Sequence, residues 1–336
     1  MNVYEFIKTI PELTKQYEWL KEVDSCLLRT SIFDLDNAYQ KYLKKCGEEP
    51  KFKSKNKSRN SYRTNNIMSK YKNTTYESIK LDLEKRIITL PKLKEIEIRG
   101  YRKLKEIKGR IINATIYKEV NKYYVSLCIE EQTIKTKLVS TSIVGIDVGI
   151  KTLVTTSNRK IYKNPKQIKK YEKKIKGLNR WLARALPGSK NRYKIKQKLS
   201  RTYQKLKNAR KYYLHDISKE ITEENDIVVA EKLKIQKIIQ TKQLSKSIYD
   251  ASWNELLRQI EYKTKWKGKK FYQIETNYPS YQICNHCGYR NKELKNLAIR
   301  KWICEECKSE LERDVNASIN IMFKGIEKYM KELEAI

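Results

Sequence analysis

The stretch Ser142-Ile143-Val144-Gly145-Ile146-Asp147 decides the fold class, because it is a short apolar run that ends in a carboxylate. Further strand patterns lie at Leu153-Val154-Thr155-Thr156, at Ile227-Val228-Val229-Ala230 and at Lys270-Phe271-Tyr272-Gln273-Ile274. Helical patterns separate the last three runs, one of them an amphipathic pattern over 244–267. Short apolar strands that alternate with helices predict a mixed α/β fold.

Three acids are placed where strands end or a helix begins. Asp147 lies in the first of these predicted strands, Glu231 directly follows the apolar run 227–230, and Asp314 lies at the start of the predicted C-terminal helix. Acids carried in this way can meet at the carboxyl edge of an open α/β sheet. Each acid alone is weak evidence, since an Asp near a glycine is a common turn pattern and Glu231-Lys232 could be a surface ion pair.

Such a trio suits the hydrolysis of a phosphodiester. The reaction needs an activated water and neutralisation of the leaving oxygen, and two divalent ions about 3.5–4 Å apart supply both. Hard Mg2+ or Mn2+ takes carboxylate oxygens as ligands. The chain has only two histidines, which argues against a histidine-metal nuclease. We therefore expect a metal-dependent nuclease in which Asp147, Glu231 and Asp314 are the catalytic and magnesium-binding residues.

Four cysteines form a C-x2-C-x16-C-x2-C pattern, made of Cys284, Cys287, Cys304 and Cys307. Two short knuckles of this kind close a tetrahedral thiolate site, so we expect one zinc ion. A site with four protein ligands has no open position, and the zinc should therefore be structural. His286, inside the first knuckle, is expected to be a turn residue. A disulfide framework is the alternative, disfavoured in a reducing compartment.

The charge of the chain points to a polyanionic partner. The chain has 74 Lys and Arg against 39 Asp and Glu, a formal net charge of +35. Nucleic acid is the first candidate, and a membrane surface is disfavoured because Tyr, Asn and Gln interrupt the basic stretches. No segment approaches the roughly 20 apolar residues of a membrane span, and the N-terminus lacks the apolar core of a signal peptide. We expect a cytoplasmic protein without a membrane partner.

Two segments concentrate the positive charge. Residues 50–64 form a basic loop, and residues 160–211 hold twenty Lys and Arg with a single acid, Glu172. Helical spacing on both sides of Leu186-Pro187-Gly188-Ser189 predicts a helical hairpin. Like charges on one hairpin repel unless a polyanion neutralises them, so nucleic acid is favoured there, whereas composition alone favours a solvated surface for the loop. The candidate nucleic-acid contacts are Lys53, Lys55, Lys57, Arg59, Arg180, Arg184, Lys190, Arg192 and Arg210.

The N-terminal part shows two other patterns. Over 11–45, apolar residues recur at three- and four-residue steps, which predicts two amphipathic helices. Over 76–130, short β-rich runs recur at roughly ten-residue spacing, which predicts a small barrel or sandwich.

Taken together, these motifs resemble the TnpB family, the OrfB-type nucleases that bacterial insertion sequences encode and that are related to the type V CRISPR effectors. The matching elements are Gly145-Ile146-Asp147-Val148-Gly149-Ile150, Val228-Val229-Ala230-Glu231-Lys232-Leu233, the cysteine knuckles and Glu312-Arg313-Asp314-Val315-Asn316-Ala317-Ser318. The resemblance implies an RNase H-like RuvC domain with Asp147, Glu231 and Asp314 as its acids. It also implies an inserted zinc ribbon and, upstream, a helical region followed by a β-barrel-like wedge domain.

The resemblance further implies an order of domains. These are a helical recognition region with the basic loop at 1–70, the wedge domain at 71–138, the RuvC domain at 139–275 with its basic hairpin at 160–224, the zinc ribbon at 276–310 and a C-terminal RuvC helix at 311–336. Members of the family usually begin with a wedge strand and a helix ahead of the segment that matches from residue 11 onward. The chain is therefore expected to be shortened at its N-terminus.

The function implied by the resemblance is that of a transposon-associated, RNA-guided DNA endonuclease. Its partners would be a guide RNA derived from the transposon end and a target DNA selected by base pairing beside a short adjacent motif, with a monomer as the expected state. Two alternatives stay open. One is an RNA-guided DNA-binding protein that does not cut, as a repressor or a truncated remnant, and the three acids argue against it. The other is a zinc-ribbon regulator without an enzymatic site, disfavoured because the ribbon lies between RuvC elements.

Overall fold

The computed structural model describes residues 3–54, 58, 60–71, 74–100, 109–131, 142–233, 251–294 and 299–334. Contacts between residues divide the chain into two units, residues 1–132 and residues 133–336. None of the helices within these described ranges is long and apolar enough to cross a membrane.

The first unit begins with helices, as the sequence predicts. They are α1 (Val3–Gln16), a 3-10 turn (Glu18–Glu22) and α2 (Ser25–Leu43). The periodic residues from Leu13 to Leu27 do not form one helix, because the Asp24 carboxylate accepts a hydrogen bond from the Cys26 amide at 3.1 Å and so begins α2 anew. Pro11 lies inside α1.

Short antiparallel strands make up the rest of the first unit. They are β1 (Ser61–Asn65), β2 (Met68–Tyr71), β3 (Thr74–Glu77), β4 (Lys80–Asp82), β5 (Ile87–Leu90), β6 (Lys94–Glu97), β7 (Arg110–Glu119) and β8 (Lys122–Glu130). Among the described residues they pair as β1-β7-β8, β2-β3 and β4-β5-β6. Their buried core consists of Ile79, Ile88, Leu90, Ile111 and Ala114. The β-rich region is confirmed, whereas its closure into a barrel-like wedge stays a prediction.

The prediction of a basic loop up to residue 64 is wrong at its C-terminal end. Ser61–Asn65 form β1 and pair with β7 over their whole length. Thr64 is 1% exposed, and its hydroxyl donates to the Asp24 carboxylate, while the neighbouring Arg63 faces outward and pairs with Asp34. Strand β1 is therefore held by partners distant in sequence. The predicted domain boundary between residues 70 and 71 falls inside the strand β2.

The second unit is built on one five-stranded sheet. Its elements, in chain order, are β9 (Ile143–Val148), β10 (Thr152–Thr156), β11 (Ile161–Lys163), α3 (Gln167–Arg184), α4 (Lys190–Glu224), β12 (Ile227–Glu231), α5 (Trp253–Trp266), β13 (Lys270–Ile274), β14 (Lys301–Ile303), β15 (Glu310–Glu312) and α6 (Arg313–Glu334). The sheet order is β11-β10-β9-β12-β13. β9, β12 and β13 run parallel, whereas β10 and β11 are antiparallel to their neighbours. The mixed α/β class is confirmed.

Side chains that alternate along β9 and β12 cover both faces of this sheet. On one face, Val144, Ile146, Val228 and Ala230 share a core with α4 and α5. On the other face, Ile227 and Val229 pack with Ile321 of α6. Because strand residues point alternately to the two faces, this pattern is what a sheet buried on both sides requires.

Two glycines allow α6 to lie close against the sheet. A Cβ atom at Gly145 would stand 2.0 Å from the backbone oxygen of Ser318, and one at Gly325 would stand 2.3 Å from a methyl of Val229. Neither position therefore accepts a side chain unless the helix moves. This close packing fixes the start of α6, where Asp314 lies.

The predicted basic hairpin is formed by α3 and α4, with its turn at residues 185–189. It begins later than residue 160, because residues 161–163 form the edge strand β11. The Ser189 hydroxyl caps α4 by accepting from the Arg192 amide at 3.1 Å. The Arg192 guanidinium donates to the carbonyls of Leu182 and Ala185 at the end of α3, at 2.5 and 3.0 Å. The hairpin turn is therefore braced from both helices.

Candidate metal and nucleic-acid sites

The structure brings the three predicted acids together. Ile146 of β9 pairs with Ala230 of β12, so the next residues of these parallel strands, Asp147 and Glu231, lie side by side at one edge of the sheet. Asp314 is the second residue of α6. All three line one cavity of about 270 Å³. Their convergence, expected from their positions at a strand, a strand end and a helix start, is a feature of the fold.

Burial changes the pKa values of Asp147 and Glu231. Burial, together with the charges of Asp314 and Glu231, raises the pKa of Asp147 to about 7, while the charge of Arg313 opposes this rise. Burial also raises the pKa of Glu231 to about 7. Three carboxylates held together in this way repel one another unless a cation or a proton neutralises them. The donor set consists of carboxylate oxygens, which suits a hard divalent ion.

Two residues outside the predicted set of site residues, Arg300 and Trp253, also line this cavity. The Arg300 guanidinium donates to both oxygens of Asp314 at 3.1 Å. The indole of Trp253 donates to the carbonyl of Gly149 at 3.2 Å and so ties the loop after β9 to α5. The sequence carries no local signal for Arg300, because the pairing of β14 with β15 brings it to the site and sets its carbonyl 2.8 Å from the Arg313 amide.

The four predicted cysteines also come together. Their sulfur atoms lie within 4.8 Å of one another. The distance between the sulfurs is 3.6 Å for the pair Cys284 and Cys307 and 3.6 Å for the pair Cys287 and Cys304. A tetrahedral zinc with Zn–S bonds of about 2.3 Å requires sulfur separations of about 3.8 Å. The cluster therefore fits a structural zinc site.

The two knuckles have the same backbone form. In each, the amide four residues after the first cysteine donates to that cysteine's carbonyl, from Gly288 at 2.9 Å and from Lys308 at 3.0 Å. Both residues are left-handed, with φ of 79° at Gly288 and 59° at Lys308. A lysine at such a position is strained relative to glycine. His286, inside the first knuckle, is an exposed turn residue as predicted.

Hydrogen bonds join the first knuckle to the helix that carries Asp314. The Asn316 side chain accepts from the Asn285 amide at 2.9 Å and donates to the Ile283 carbonyl at 2.7 Å. One turn later, the Asn320 amide donates to the carbonyls of Ser280 and Ile283 at 2.8 and 2.6 Å. Asn316 and Asn320 are almost fully buried. The thiolate cluster and the carboxylate site therefore share one rigid support.

The predicted nucleic-acid contacts fall into three groups. Lys53, Arg180, Arg184 and Lys190 are exposed, as a contact requires, while Arg192 and Arg210 are partly buried. Arg192 has a structural role at the hairpin turn, through its bonds to Leu182 and Ala185. Lys55, Lys57 and Arg59 lie outside the described residues. For all nine residues, contact with nucleic acid stays a prediction.

Comparisons with known proteins agree with the motifs. A family model named OrfB_IS605 and described as a probable transposase matches residues 126–242, and a model of the Cas12f1-like TNB domain matches residues 253–321. A protein of Streptomyces pristinaespiralis named as an RNA-guided DNA endonuclease is 31% identical over 314 residues, which cover 93% of this chain and 74% of that protein. The RNA-guided DNA endonuclease InsQ of Escherichia coli (strain K12) is 30% identical over 323 residues, with coverages of 92% and 76%.

A solved structure supports the fold. The chain resembles a structure described as the Cas12f1-sgRNA-target DNA complex, with a TM-score of 0.53 and 17% sequence identity. The match covers 89% of this chain and 70% of that one. At this level of identity the likeness concerns the fold.

Proposed function

The chain belongs to the TnpB family, and from that premise we propose that it is a transposon-associated, RNA-guided DNA endonuclease. One observation carries the proposal. Asp147, Glu231 and Asp314 line a single cavity at one sheet edge, and the pKa values of Asp147 and Glu231 are raised to about 7. Raised carboxylate pKa values of this kind cluster at functional sites.

Asp147, Glu231 and Asp314 would hold two divalent cations, Mg2+ or Mn2+. When bound, such ions activate a water molecule and neutralise charge on the leaving oxygen of a phosphodiester. The residues of the chain present the carboxylate oxygens from β9, β12 and α6, so that the ligand positions are fixed by the sheet and its covering helix. Arg300 donates two hydrogen bonds of 3.1 Å to the oxygens of Asp314. Cys284, Cys287, Cys304 and Cys307 would hold a structural zinc.

The proposed partners are a guide RNA from the transposon end and a target DNA. Both kinds of molecule are named for the relatives and for the similar solved complex. The net charge of +35 supports a nucleic-acid partner. We assign the second unit to the RuvC domain with its basic hairpin and zinc ribbon, and the first unit to the recognition region and wedge domain.

The main alternative is an RNA-guided protein that occupies DNA without cutting it. The retention of all three acids disfavours this reading, because three unneutralised carboxylates destabilise a fold that has no use for a cation. A zinc-ribbon regulator is disfavoured for the same reason.

The test is to express the chain with the flanking transposon DNA, purify it and sequence the RNA that copurifies. A plasmid that matches the variable part of that RNA is then incubated with the complex in Mg2+. We expect cutting of the matched plasmid alone, and no cutting by the Asp147→Ala variant. Equal cutting of matched and unmatched plasmids, or binding of the matched plasmid without cutting by the wild-type complex, would overturn the proposal.

A further inference from the structure

A groove runs between the two helices of the basic hairpin. It has a volume of about 770 Å³, and its lining includes Gly177, Leu178 and Trp181 of α3 and Thr202 of α4. Leu178 is 4% exposed and Thr202 is 4% exposed, so they form the floor, whereas Trp181 is 58% exposed. A Cβ atom at Gly177 would meet nothing within 4 Å. The groove is therefore open, and the exposed Trp181 offers an aromatic face to a ligand beside the partly buried Tyr171, which also lines the groove.

Positive charge surrounds this aromatic face. Six cationic side chains line the groove, namely Lys173, Lys174, Arg180, Lys198, Arg201 and Lys205. Among the described residues, no acid lines the groove. The acid closest in sequence, Glu172, pairs with Lys176 at 3.0 Å. The ligand should therefore combine a planar group with several negative charges.

The groove lies beyond the part of α4 that packs on the sheet. The part of α4 that packs on the sheet includes Leu214, Ile217 and Ile221. Lys205 and Lys198 precede Leu214 by nine and sixteen residues, which corresponds to about 14 and 24 Å along the helix axis at 1.5 Å per residue. The groove is therefore set off along α4 from the part of the helix that packs on the sheet.

We infer that the groove binds an unpaired nucleotide of the guide RNA, with its base stacked on Trp181 and its neighbouring phosphates paired with the surrounding cations. The inference rests on the proposed function, which supplies the RNA. Only an unpaired base can present its face to an aromatic side chain, and RNA is commonly recognised through such bases in loops and bulges. A strand that is cut must reach the acids whereas a guide need not, so a groove set off along α4 from the sheet favours the guide.

The first test measures RNA affinity. Protein freed of copurified RNA by high-salt chromatography is titrated with a labelled 12-nucleotide oligouridylate, near physiological salt. We expect Trp181→Ala to weaken binding roughly tenfold, since a stacked base contributes about that much, and Trp181→Phe to stay within about threefold of the wild type. Tyr212→Ala is the matched control, because Tyr212 is 75% exposed on the same hairpin and does not line the groove. An equal loss in the Tyr212 and Trp181 variants would overturn the inference.

The second test fills the groove without weakening the helix. Gly177→Leu places a side chain in the open space, and removal of a glycine from a helix interior favours the helix. Gly177→Ala adds a single methyl and serves as the control. We expect the leucine variant to melt no lower than the wild type and yet to bind the oligouridylate roughly tenfold more weakly, while the alanine variant binds normally. Normal binding by the leucine variant would contradict a ligand in the groove.

Competing probes identify the ligand class. A 12-nucleotide deoxyuridylate, a 12-base-pair RNA duplex and an oligoglutamate peptide are titrated against the wild type and the Trp181→Ala variant. We expect Trp181 to matter for single-stranded RNA alone, and 5-iodouridine in the oligouridylate to crosslink to Trp181. If the Trp181→Ala substitution weakened binding of the deoxyuridylate, the duplex or the peptide as much as binding of the oligouridylate, the assignment of single-stranded RNA to the groove would be wrong. These binding measurements do not depend on cleavage. A wild-type complex that fails to cut DNA would therefore refute the proposed function but would leave the inference about the groove unaffected.

Discussion

At Asp147, the carboxylate that the proposed cation needs as a ligand is unfavourable for the stability of the folded protein. It lies in a strand covered on both faces, and its pKa is raised to about 7 by burial and by the charges of Asp314 and Glu231. A neutral residue of similar shape would relieve this repulsion. The buried carboxylate of Asp147 destabilises the fold. The cation that the site is proposed to bind best explains why an acid stands at this position.

Loss of any one acid should abolish metal-dependent DNA cleavage. We expect Asp147→Ala, Glu231→Ala and Asp314→Ala each to do so, because each removes ligand oxygens from the proposed cation site. RNA binding should stay within a few-fold of the wild type, because the hairpin cations are unchanged. Both are measured on the same preparation, with a matched plasmid in Mg2+ and with labelled RNA. Full cleavage by one of these variants would remove that residue from the site.

The pH dependence of stability should change in Asp147→Asn. A carboxyl whose pKa is about 7 in the folded protein and about 3.9 unfolded keeps its proton on folding, so its contribution to stability falls as the pH rises from about 4 to about 7. The asparagine variant has no ionisable group at this position, so its stability does not fall for this reason as the pH rises. We expect it to melt a few degrees above the wild type at pH 8 and at nearly the same temperature at pH 4.

The melts for this comparison are recorded without added Mg2+ and without a chelator, so that zinc is retained. A difference that is the same at both pH values would mean that the titration of Asp147 is not its cause. A difference that disappears when saturating Mg2+ is added would support the cation as the group that normally offsets the repulsion.

Arg300 competes with a cation for Asp314. Its guanidinium occupies both carboxylate oxygens at 3.1 Å. We expect Arg300→Ala to bind Mn2+ several-fold more tightly, as measured by the fraction of free Mn2+ in electron paramagnetic resonance. Lys301→Ala is the control, because Lys301 is the exposed neighbour and pairs with Glu312 instead. Weaker Mn2+ binding by the alanine variant would show that Arg300 holds Asp314 in a conformation that the cation needs.

At the scale of elements, the cysteine knuckles and α6 act as one support. Asn316 and Asn320 join the first knuckle to α6 with four hydrogen bonds, and Asp314 lies in the first turn of that helix. A four-thiolate zinc site contributes on the order of 10 kcal/mol or more to the folding of such a ribbon. Collapse of the knuckles should therefore displace Asp314.

Removal of zinc should stop cleavage in a way that Mg2+ does not reverse. We expect one zinc per chain by elemental analysis, and its extraction by a thiol-reactive mercurial and a chelator to abolish DNA cutting even in excess Mg2+. Zinc added back under reducing conditions should restore activity. The double variant Cys287→Ser, Cys307→Ser should fail in the same way. Purified protein that contains no zinc and still cuts DNA would contradict this expectation.

The elements that the sequence predicted are those whose patterns are local. The strands 227–231 and 270–274, the knuckles and the start of α6 could all be read from short runs of residues. Strand β1 could not, because Ser61–Asn65 is polar and is held by its pairing with β7 and by the contact of Thr64 with Asp24. Arg300 was missed for a related reason, since it meets Asp314 through the register of β14 and β15.

At the scale of the whole molecule, the excess charge is spread over both units. Lys53 and its basic neighbours belong to the first unit, and the hairpin belongs to the second. The sequence favours nucleic acid for the hairpin and offers the basic residues of the loop as candidate contacts, but it does not say which polyanion each segment meets. The groove at Trp181 favours RNA as the ligand of the hairpin. The basic loop at residues 50–64 is then the candidate for contact with the DNA duplex.

The two basic segments should therefore differ in what they bind. We expect substitution of Lys53, Lys55, Lys57 and Arg59 by Ala to weaken binding of a DNA duplex and to leave RNA binding within about twofold. We expect the matched substitution of Arg180, Arg184, Lys190 and Lys194 to do the reverse. Each lost phosphate contact should lower the slope of log Kobs against log salt by roughly 0.9 for duplex DNA and 0.7 for single-stranded RNA. Salt titrations of both quadruple variants with both nucleic acids measure this directly. If each quadruple variant lowered both affinities equally, the positive charge would act as one unspecialised field, and the assignment of separate partners to the two units would be wrong.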